Sequence, residues 1–376
     1  MASSITMNAH SPQPNPPIAG YHFNKPYSYT KENLDAIIRT VSYHRKDFDL
    51  AVIWFPSCTH TNVVSSLAVD YRKPTTSLGD LDKLPLELLT NIFLQSDIAS
   101  LFQLRQVNAR GHQVVNALHE YRVITKHALN AFLALLRTRM KPGVTLQDFF
   151  RLLCTQECSL CGKYGNLVYL PTWTRCCSSC LHSDAPEIRS TNAARVKRRL
   201  ELSKESMRNL PRLTTLPGTY SIDIDASSRS GRLDVVPTHH ALSAFRTENS
   251  GTEPTMDMTN KITMPIVCKD TPTPMQAFMA CCALPSYDLR TGQAENGVSC
   301  AGCQYFLRNI ASRPHSAWAH SARESVYSYR GFLEHFAWCV YAQRLWRESK
   351  QGRIKPPSLP PFCKSGGFLS VKAGRT

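Results

Sequence analysis

The chain has no long apolar run. The longest, residues 277–284, is far short of the roughly 18–20 residues a membrane helix needs, which excludes a helical span. Its first residues, MASSITMNAHSPQPNPP, hold no apolar stretch of the kind a secretory leader requires. A reducing compartment, the cytoplasm or the nucleus or both, is therefore expected, with the cysteines free of disulfides. No GxGxxG, P-loop, HExxH or nucleophile-elbow pattern occurs, and the scattered Ser, His and Asp residues define no triad. Nothing thus points to a catalytic site, and a non-catalytic protein is expected. No internal repeat of fixed period is present, which excludes solenoids and propellers whose binding faces follow from the repeat. Acidic residues are also scarce: 28 Asp plus Glu face 44 Lys plus Arg, for a net charge of +16.

What is present is enough apolar material for a core, 42% of 376 residues, over a length that suits two or three domains. The basic balance favours acidic partners such as nucleic acid or an acidic protein surface. The one dense basic run, Arg195-Val196-Lys197-Arg198-Arg199, continues through Leu200, Glu201 and Lys204 as a solvated helix face would. The 14 cysteines are uneven, with six of them between Cys154 and Cys180. Clustered cysteines in a reducing compartment point to metal.

Composition and periodicity divide the chain into seven stretches. Residues 1–30, rich in Pro, Ser and Asn, read as a disordered tail. Residues 31–76 are an N-terminal segment in which Leu34, Ile37, Ile38 and Val41 have helical spacing, residues 50–55 read as a short buried strand, and 74–77 form a linker. Residues 78–125 are helical. Residues 126–220 hold a helix and the first cysteine cluster. Residues 221–262 belong to a hairpin, with strands at 219–225 and 232–236, and then to a polar loop at 246–262. Residues 263–346 hold a second Cys/His module, and 347–376 are an irregular Pro-rich tail. The fold expected is mainly α, with small zinc-stabilised α+β modules.

Within the helical stretch, Leu84, Leu88, Leu89, Ile92 and Phe93 make one apolar stripe. Pro85 suits the first turn and Glu87 the positive end of the helix dipole. Asp97 can cap a second helix carrying Leu101, Leu104 and Val107, and a third carries Val114, Val115 and Leu118. Three short helices bury little surface alone and need a neighbour. The text Leu84-Pro85-x-Glu87-Leu88-Leu89-x-x-Ile92-Phe93, followed by Ser100-Leu101-x-x-Leu104-Arg105-x-Val107-Asn108, resembles the F-box. It departs at Gln95-Ser96, where that motif usually has an apolar residue before the Asp. Further blocks are similar to a family of fungal F-box proteins: Glu120-Tyr121-Arg122, Cys158-Ser159-Leu160-Cys161-Gly162, Leu170-Pro171, Arg175-Cys176-Cys177-x-x-Cys180-Leu181, Leu216-Pro217-Gly218-x-Tyr220-Ser221, Gly297-x-Ser299-Cys300-x-Gly302-Cys303 and Gly331-Phe332-Leu333-x-His335-Phe336-x-x-Cys339. The likeness spans roughly 80–346. It implies a three-helix F-box at 78–125, followed by a Cys-rich region. It also implies docking onto the Skp-type adaptor of a cullin-based ubiquitin ligase, with Leu84, Pro85, Leu88, Leu89, Ile92, Phe93, Leu101, Leu104 and Val107 in or near the contact.

Cys158-x2-Cys161 and Cys177-x2-Cys180, 15 residues apart, have the spacing of a structural four-cysteine zinc site. A two-residue gap lets one tight turn offer two sulfurs, and Gly162 supplies the φ > 0 such turns often need. Cys154 follows Leu146, Phe149, Phe150 and Leu153 and reads as core; Cys176 is an alternative to Cys177. The second site starts from Cys300-x2-Cys303. Its other half is either His315-x4-His320, disturbed by Pro314, or His335-x3-Cys339, which shares one face of an expected helix. The second pair is the reading taken: Cys300, Cys303, His335 and Cys339. Two structural zinc ions are expected.

Three functions fit. One is a substrate receptor of an SCF-type ligase, which itself catalyses nothing and brings an unidentified protein substrate near the ubiquitin-charged enzyme. Another is a zinc-dependent nucleic-acid-binding protein. The third is an F-box scaffold outside a ligase.

Overall fold

A computed structural model describes residues 26–59, 61–67, 77–220, 228–263, 275–310 and 316–368. It is mainly helical with small two- and three-stranded sheets. Among the described residues no helix is long and apolar enough to cross a membrane. The chain forms two compact units. One is drawn from Asp47–Asn296, the other from Met1–Lys46 together with Gly297–Arg375. Most of the segment expected as a disordered tail lies outside the described residues, as do residues 68–76 with the expected linker.

The first unit opens on helices whose ends the sequence marks. Leu86–Gln95 stops at Ser96, and Asp97 caps Ile98–Val107 by accepting from the N–H groups of Ala99 and Ser100, both at 3.0 Å. Asn108 caps Ala109–Ala117 through Gly111 N at 2.8 Å. His119–His127 and Leu129–Thr138 follow. Leu146–Leu153 then starts at a Thr145 cap: Thr145 Oγ1 accepts from Asp148 N at 3.0 Å and donates to the Asp148 carboxylate at 2.8 Å. Leu89, Phe93, Leu101, Tyr121, Phe132 and Phe149 from these helices share one core with the first cysteine region, so the helical stretch and the metal module that the sequence divides near 125 are continuous.

That core closes on a small sheet. Leu167–Tyr169 is its central strand, with Thr174–Cys176 on one side and Cys281–Ala283 on the other, both antiparallel. The longest apolar run of the chain is used here, as the buried end of Met275–Phe278 and the strand after it. A second sheet has Asp234–Pro237 between Ser190–Asn192 and Leu213–Thr214. Gly218–Thr219 pairs with Ser228–Arg229, so residues 234–237 take other partners than the hairpin expected around them. The stretch 246–262, expected as a polar loop, ends in the helix Met256–Thr263, whose Ile262 is buried with Val196, Leu200 and Val236. The basic run lies on Ala193–Leu200: Val196 and Leu200 face inward and Lys197, Arg198 and Arg199 outward.

The other unit joins segments remote in sequence. The helix Leu34–Val41 buries Ile37 and Val41 among Phe332, Phe336, Leu345, Trp346 and Phe362. Ser42–Tyr43 pairs antiparallel with Ser299–Cys300. The strand expected at 50–55 is not formed. Residues 46–51 are helical, and only Ile53 bridges, to Cys282 in the first unit's own sheet. Nor is the region after 347 irregular throughout: Pro361–Lys364 is a helical turn that buries Phe362 and Cys363.

One fully buried cation, Arg175, ties the first unit's parts together. Nη1 donates to Gly165 O (2.6 Å) and Leu284 O (3.1 Å), Nη2 to Leu152 O (3.0 Å) and Pro285 O (2.8 Å), and Nε to Thr155 Oγ1 (3.1 Å). Burial lowers its pKa to about 10, so it stays charged at neutral pH. Each buried carbonyl left without a donor costs about 1–3 kcal/mol. Arg175→Met should therefore cost more than about 4 kcal/mol in four orphaned carbonyls, and Arg175→Lys, which cannot reach all of them, visibly less. Calorimetry of the whole chain reads both. A melting temperature unchanged by Arg175→Met would show that the carbonyls find other donors.

Candidate metal centres

The first centre is assembled by a knuckle and a helix start. Residues 157 and 164 bridge, Cys158 N donates to Lys163 O at 2.6 Å, and Gly162 N donates to Cys158 O at 2.9 Å. Gly162 has φ +71°, which a side chain would strain. This turn carries Cys158 and Cys161. The other pair begins where the strand Thr174–Cys176 runs into the short helix Ser178–His182: Cys177 occupies the cap and its sulfur accepts from Cys180 N at 3.4 Å. Asn166 holds the two halves in place, accepting from Ser178 N at 3.1 Å and donating to Ser178 Oγ at 2.8 Å. Ser159 N donates to Arg175 O, so the knuckle is also tied to the strand.

The four sulfurs lie within 4.8 Å of one another. Sulfurs placed tetrahedrally about 2.3 Å from a metal have edges of about 3.8 Å. Here Cys158 to Cys180 is 3.9 Å and Cys161 to Cys177 is 3.6 Å. Cys158 and Cys177 are buried and Cys161 is exposed, so the centre has one open side. Cys158 is held well below the ordinary thiol range, first by its hydrogen bond with Cys177, which outweighs its burial, and further by the N–H groups of Leu160 and Cys161. Cys177 is pushed up, first by that same bond and then by burial, and burial pushes Cys180 up to about 12. Four thiolates this close would need a cation among them. Cys176 stays out of the group, fully buried beside Cys281, and half-buried Cys154 packs on the core.

The second centre depends on a close approach of two helices. Cys300 ends the strand Ser299–Cys300, and Cys303 lies in the first turn of Ala301–Ile310. Between them, a Cβ on Gly302 would stand 2.7 Å from Ala342 Cα, so only glycine lets this helix meet Val340–Glu348 backbone to backbone. That contact brings Cys300 Sγ to 3.7 Å from Cys339 Sγ and Cys303 Sγ to 3.4 Å from His335 Nε2, and all four ligand atoms lie within 4.8 Å. His335 and Cys339 do not share one continuous helix. Tyr329–Phe336 ends, Cys339 turns to φ −86°, ψ 96°, and a new helix starts. The break is stabilised by the Gln343 amide, which donates to Phe336 O and Ala337 O, both at 3.0 Å. The Tyr327 ring stacks on His335 at 4.7 Å between centroids and fixes its plane. Burial holds Cys300 far above the usual thiol range, whereas hydrogen bonds with Cys300 and Cys303 hold Cys339 well below it. Of the alternative pair, His320 is exposed outside the group and His315 lies outside the described residues.

Both groups could thus hold a metal ion. Gly302 stands in plain view between two ligands in the sequence, whereas Arg175, Asn166, Tyr327 and Gln343 carry no local signal of their supporting roles. Comparison with family models, curated proteins and solved structures finds no match for the chain.

The protein should carry two metal ions, read by elemental analysis after gel filtration. Cys161→Ser should remove one and Gly302→Ala the other, the second because its methyl group pushes the helices apart. Binding displaces thiol protons, so both should be lost as pH falls. A Gly302→Ala protein that keeps two ions would refute the close-approach account.

Proposed function

We propose that this chain is an F-box substrate receptor of a cullin-based ubiquitin ligase, and that both metal ions are structural zinc. The observation that carries the reading is the division of the predicted stripe. Leu89 and Phe93 are core, and so is Leu101, so these three support the face rather than touch an adaptor. Leu88 and Ile92, on the same helix, stand 52% and 44% exposed, Leu86 65%, and Val107 at the end of the next helix 68%. Pro85 is exposed too, whereas Leu84 and Leu104 are half-buried. A helix spends no such row of apolar side chains on water without cause. All of these except Leu86 are positions at which the F-box likeness implies adaptor contact, and cover by a Skp-type adaptor would link the chain to a cullin. Zinc is the metal of choice because four thiolates, or three with an imidazole, suit its tetrahedral preference, and closed sites of this kind stabilise folds. The cytoplasm or nucleus is where such free thiols and a ligase coincide. The receptor holds no catalytic group; it raises the local concentration of a protein substrate.

A second reading, nucleic-acid binding, is favoured by Lys350, Arg353 and Lys355. All three are exposed after Val340–Glu348, with no acidic partner among the described residues. An affinity for RNA or DNA that falls steeply with salt would support it. A scaffold role outside a ligase would show adaptor binding without ubiquitylation of the bound partner.

Leu88→Asp with Ile92→Asp should abolish adaptor copurification and leave melting temperature and zinc content unchanged, since both side chains lie outside the core. Leu89→Asp should instead unfold the first unit. Adaptor binding at parental strength by the stable double variant would sink the F-box reading.

A further inference from the structure

The two metal centres differ in how far solvent reaches them. Cys161 is exposed, and so are Ser159, Gly162 and Lys163 in the same knuckle. A Cβ on Gly162 would meet nothing within 4 Å, so open space lies over that turn. The glycine between the ligands of the second centre has no such room: a Cβ on Gly302 would stand 2.2 Å from Ala342 N. There Cys300 and Cys303 are buried, Cys339 is half-buried, and the Tyr327 ring covers one face of His335. A metal-ligating cysteine is a thiolate, and the thiolates that peroxide can reach are the ones it oxidises. Cys161 also has a second sulfur at hand, Cys177 Sγ at 3.6 Å.

The knuckle is joined to the helix that bears Leu88 and Ile92. Ser159 N donates to Arg175 O at 3.0 Å, and the Arg175 guanidinium donates to Leu152 O, at the end of Leu146–Leu153. The start of that helix is fixed to Leu86–Gln95: Leu146 N donates to Ser96 O at 3.0 Å, and the Gln95 amide donates to Gln147 Oε1. Phe149, between these two attachments, shares its core with Leu89, Phe93, Cys158 and Cys177. Packed and hydrogen-bonded groups of this kind carry a local change from one place to another.

We propose that the first centre is a peroxide-sensitive latch: oxidation of Cys161 onto Cys177 opens it, frees its ion and loosens the helix bearing Leu88 and Ile92. The Cys161 thiolate attacks one oxygen of hydrogen peroxide and breaks the O–O bond, giving a sulfenic acid and hydroxide. The Cys177 thiolate then displaces a second hydroxide and forms the disulfide. The two sulfurs lose two electrons, the peroxide gains them, and two protons from solvent turn both hydroxides into water. Cys158 and Cys180 alone do not close a four-ligand site. No cysteine of the second centre is exposed, so that centre keeps its ion. The effect on adaptor docking rests on the receptor reading above; the release of metal does not.

The test treats the full-length, zinc-loaded chain with a small excess of hydrogen peroxide. A colorimetric zinc dye should report one ion leaving at least tenfold faster than the other. Free thiols are then alkylated, disulfides reduced, and the new thiols given a second label. Mass spectrometry should find the second label on Cys161 and Cys177 and the first on Cys300, Cys303 and Cys339. Cys161→His keeps a ligand that peroxide spares and should slow the fast release at least tenfold. The labelling is read on the parental chain, so it decides even if this variant loads poorly. Three results overturn the proposal: both ions leaving at one rate, a disulfide that excludes Cys161, or a loaded Cys161→His chain that releases zinc as fast as the parent. The oxidised chain should also retain at least fivefold less Skp-type adaptor, and dithiothreitol with zinc should restore it. Unchanged retention with Cys161 and Cys177 oxidised would overturn the link to the docking face. An untreated chain that binds no adaptor would sink the receptor reading and leave the metal release standing.

Discussion

A guanidinium buried without a carboxylate is the constraint on which the first unit turns. Desolvating Arg175 is tolerable only because four main-chain carbonyls and one hydroxyl converge on it from the end of Leu146–Leu153, from the metal knuckle and from the segment after Cys281–Ala283. None of those segments is long enough to hold its place by regular pairing. A Cβ on Gly165 would stand 2.7 Å from Arg175 Cγ and 3.2 Å from Cys158 Cα, so the cation and the knuckle are packed to contact. A metal ion among the four cysteines would close the same loop that the arginine ties through its backbone bonds.

This arrangement changes how the exposed apolar face is to be viewed. The helical stretch does not form a core of its own. Leu89 and Phe93 belong to the same cluster as Leu167, Cys176 and Cys281. The helices that would meet an adaptor are held rigid by the sheet and the cysteine knuckle. A docking face fused in this way would pass its orientation on to the rest of the unit.

Local chemistry was legible in the sequence and long-range pairing was not. Cys158, Cys161, Cys177 and Cys180 declare themselves by spacing, because a knuckle is a few residues of backbone with fixed geometry. Asp97 announces a helix start for the same reason. The helical stripe was visible, but its division into buried Leu89 and Phe93 and exposed Leu88 and Ile92 was not, since hydrophobicity does not say which neighbour covers it. Helical spacing from Gly331 to Trp346 concealed the break at Cys339, which is made by a side-chain amide seven residues after Phe336. Two-residue strands such as Ser42–Tyr43 carry no alternation at all, and their partners are set by the fold around them.

The unit formed by both ends of the described chain has a kinetic consequence. His44 meets Gly297 across 253 residues, and Tyr29 meets Leu333 across 304. At roughly 5–20 residues per second, a ribosome needs about 13–50 s to span the first of these gaps. For that time the amphipathic helix Leu34–Val41 has no Phe332, Phe336 or Trp346 to cover Ile37 and Val41, while the intervening unit can already collapse around Arg175. Synthesis therefore exposes a short adhesive helix for about 13–50 s. The cell's holdase chaperones would meet this protein first at its N-terminal helix.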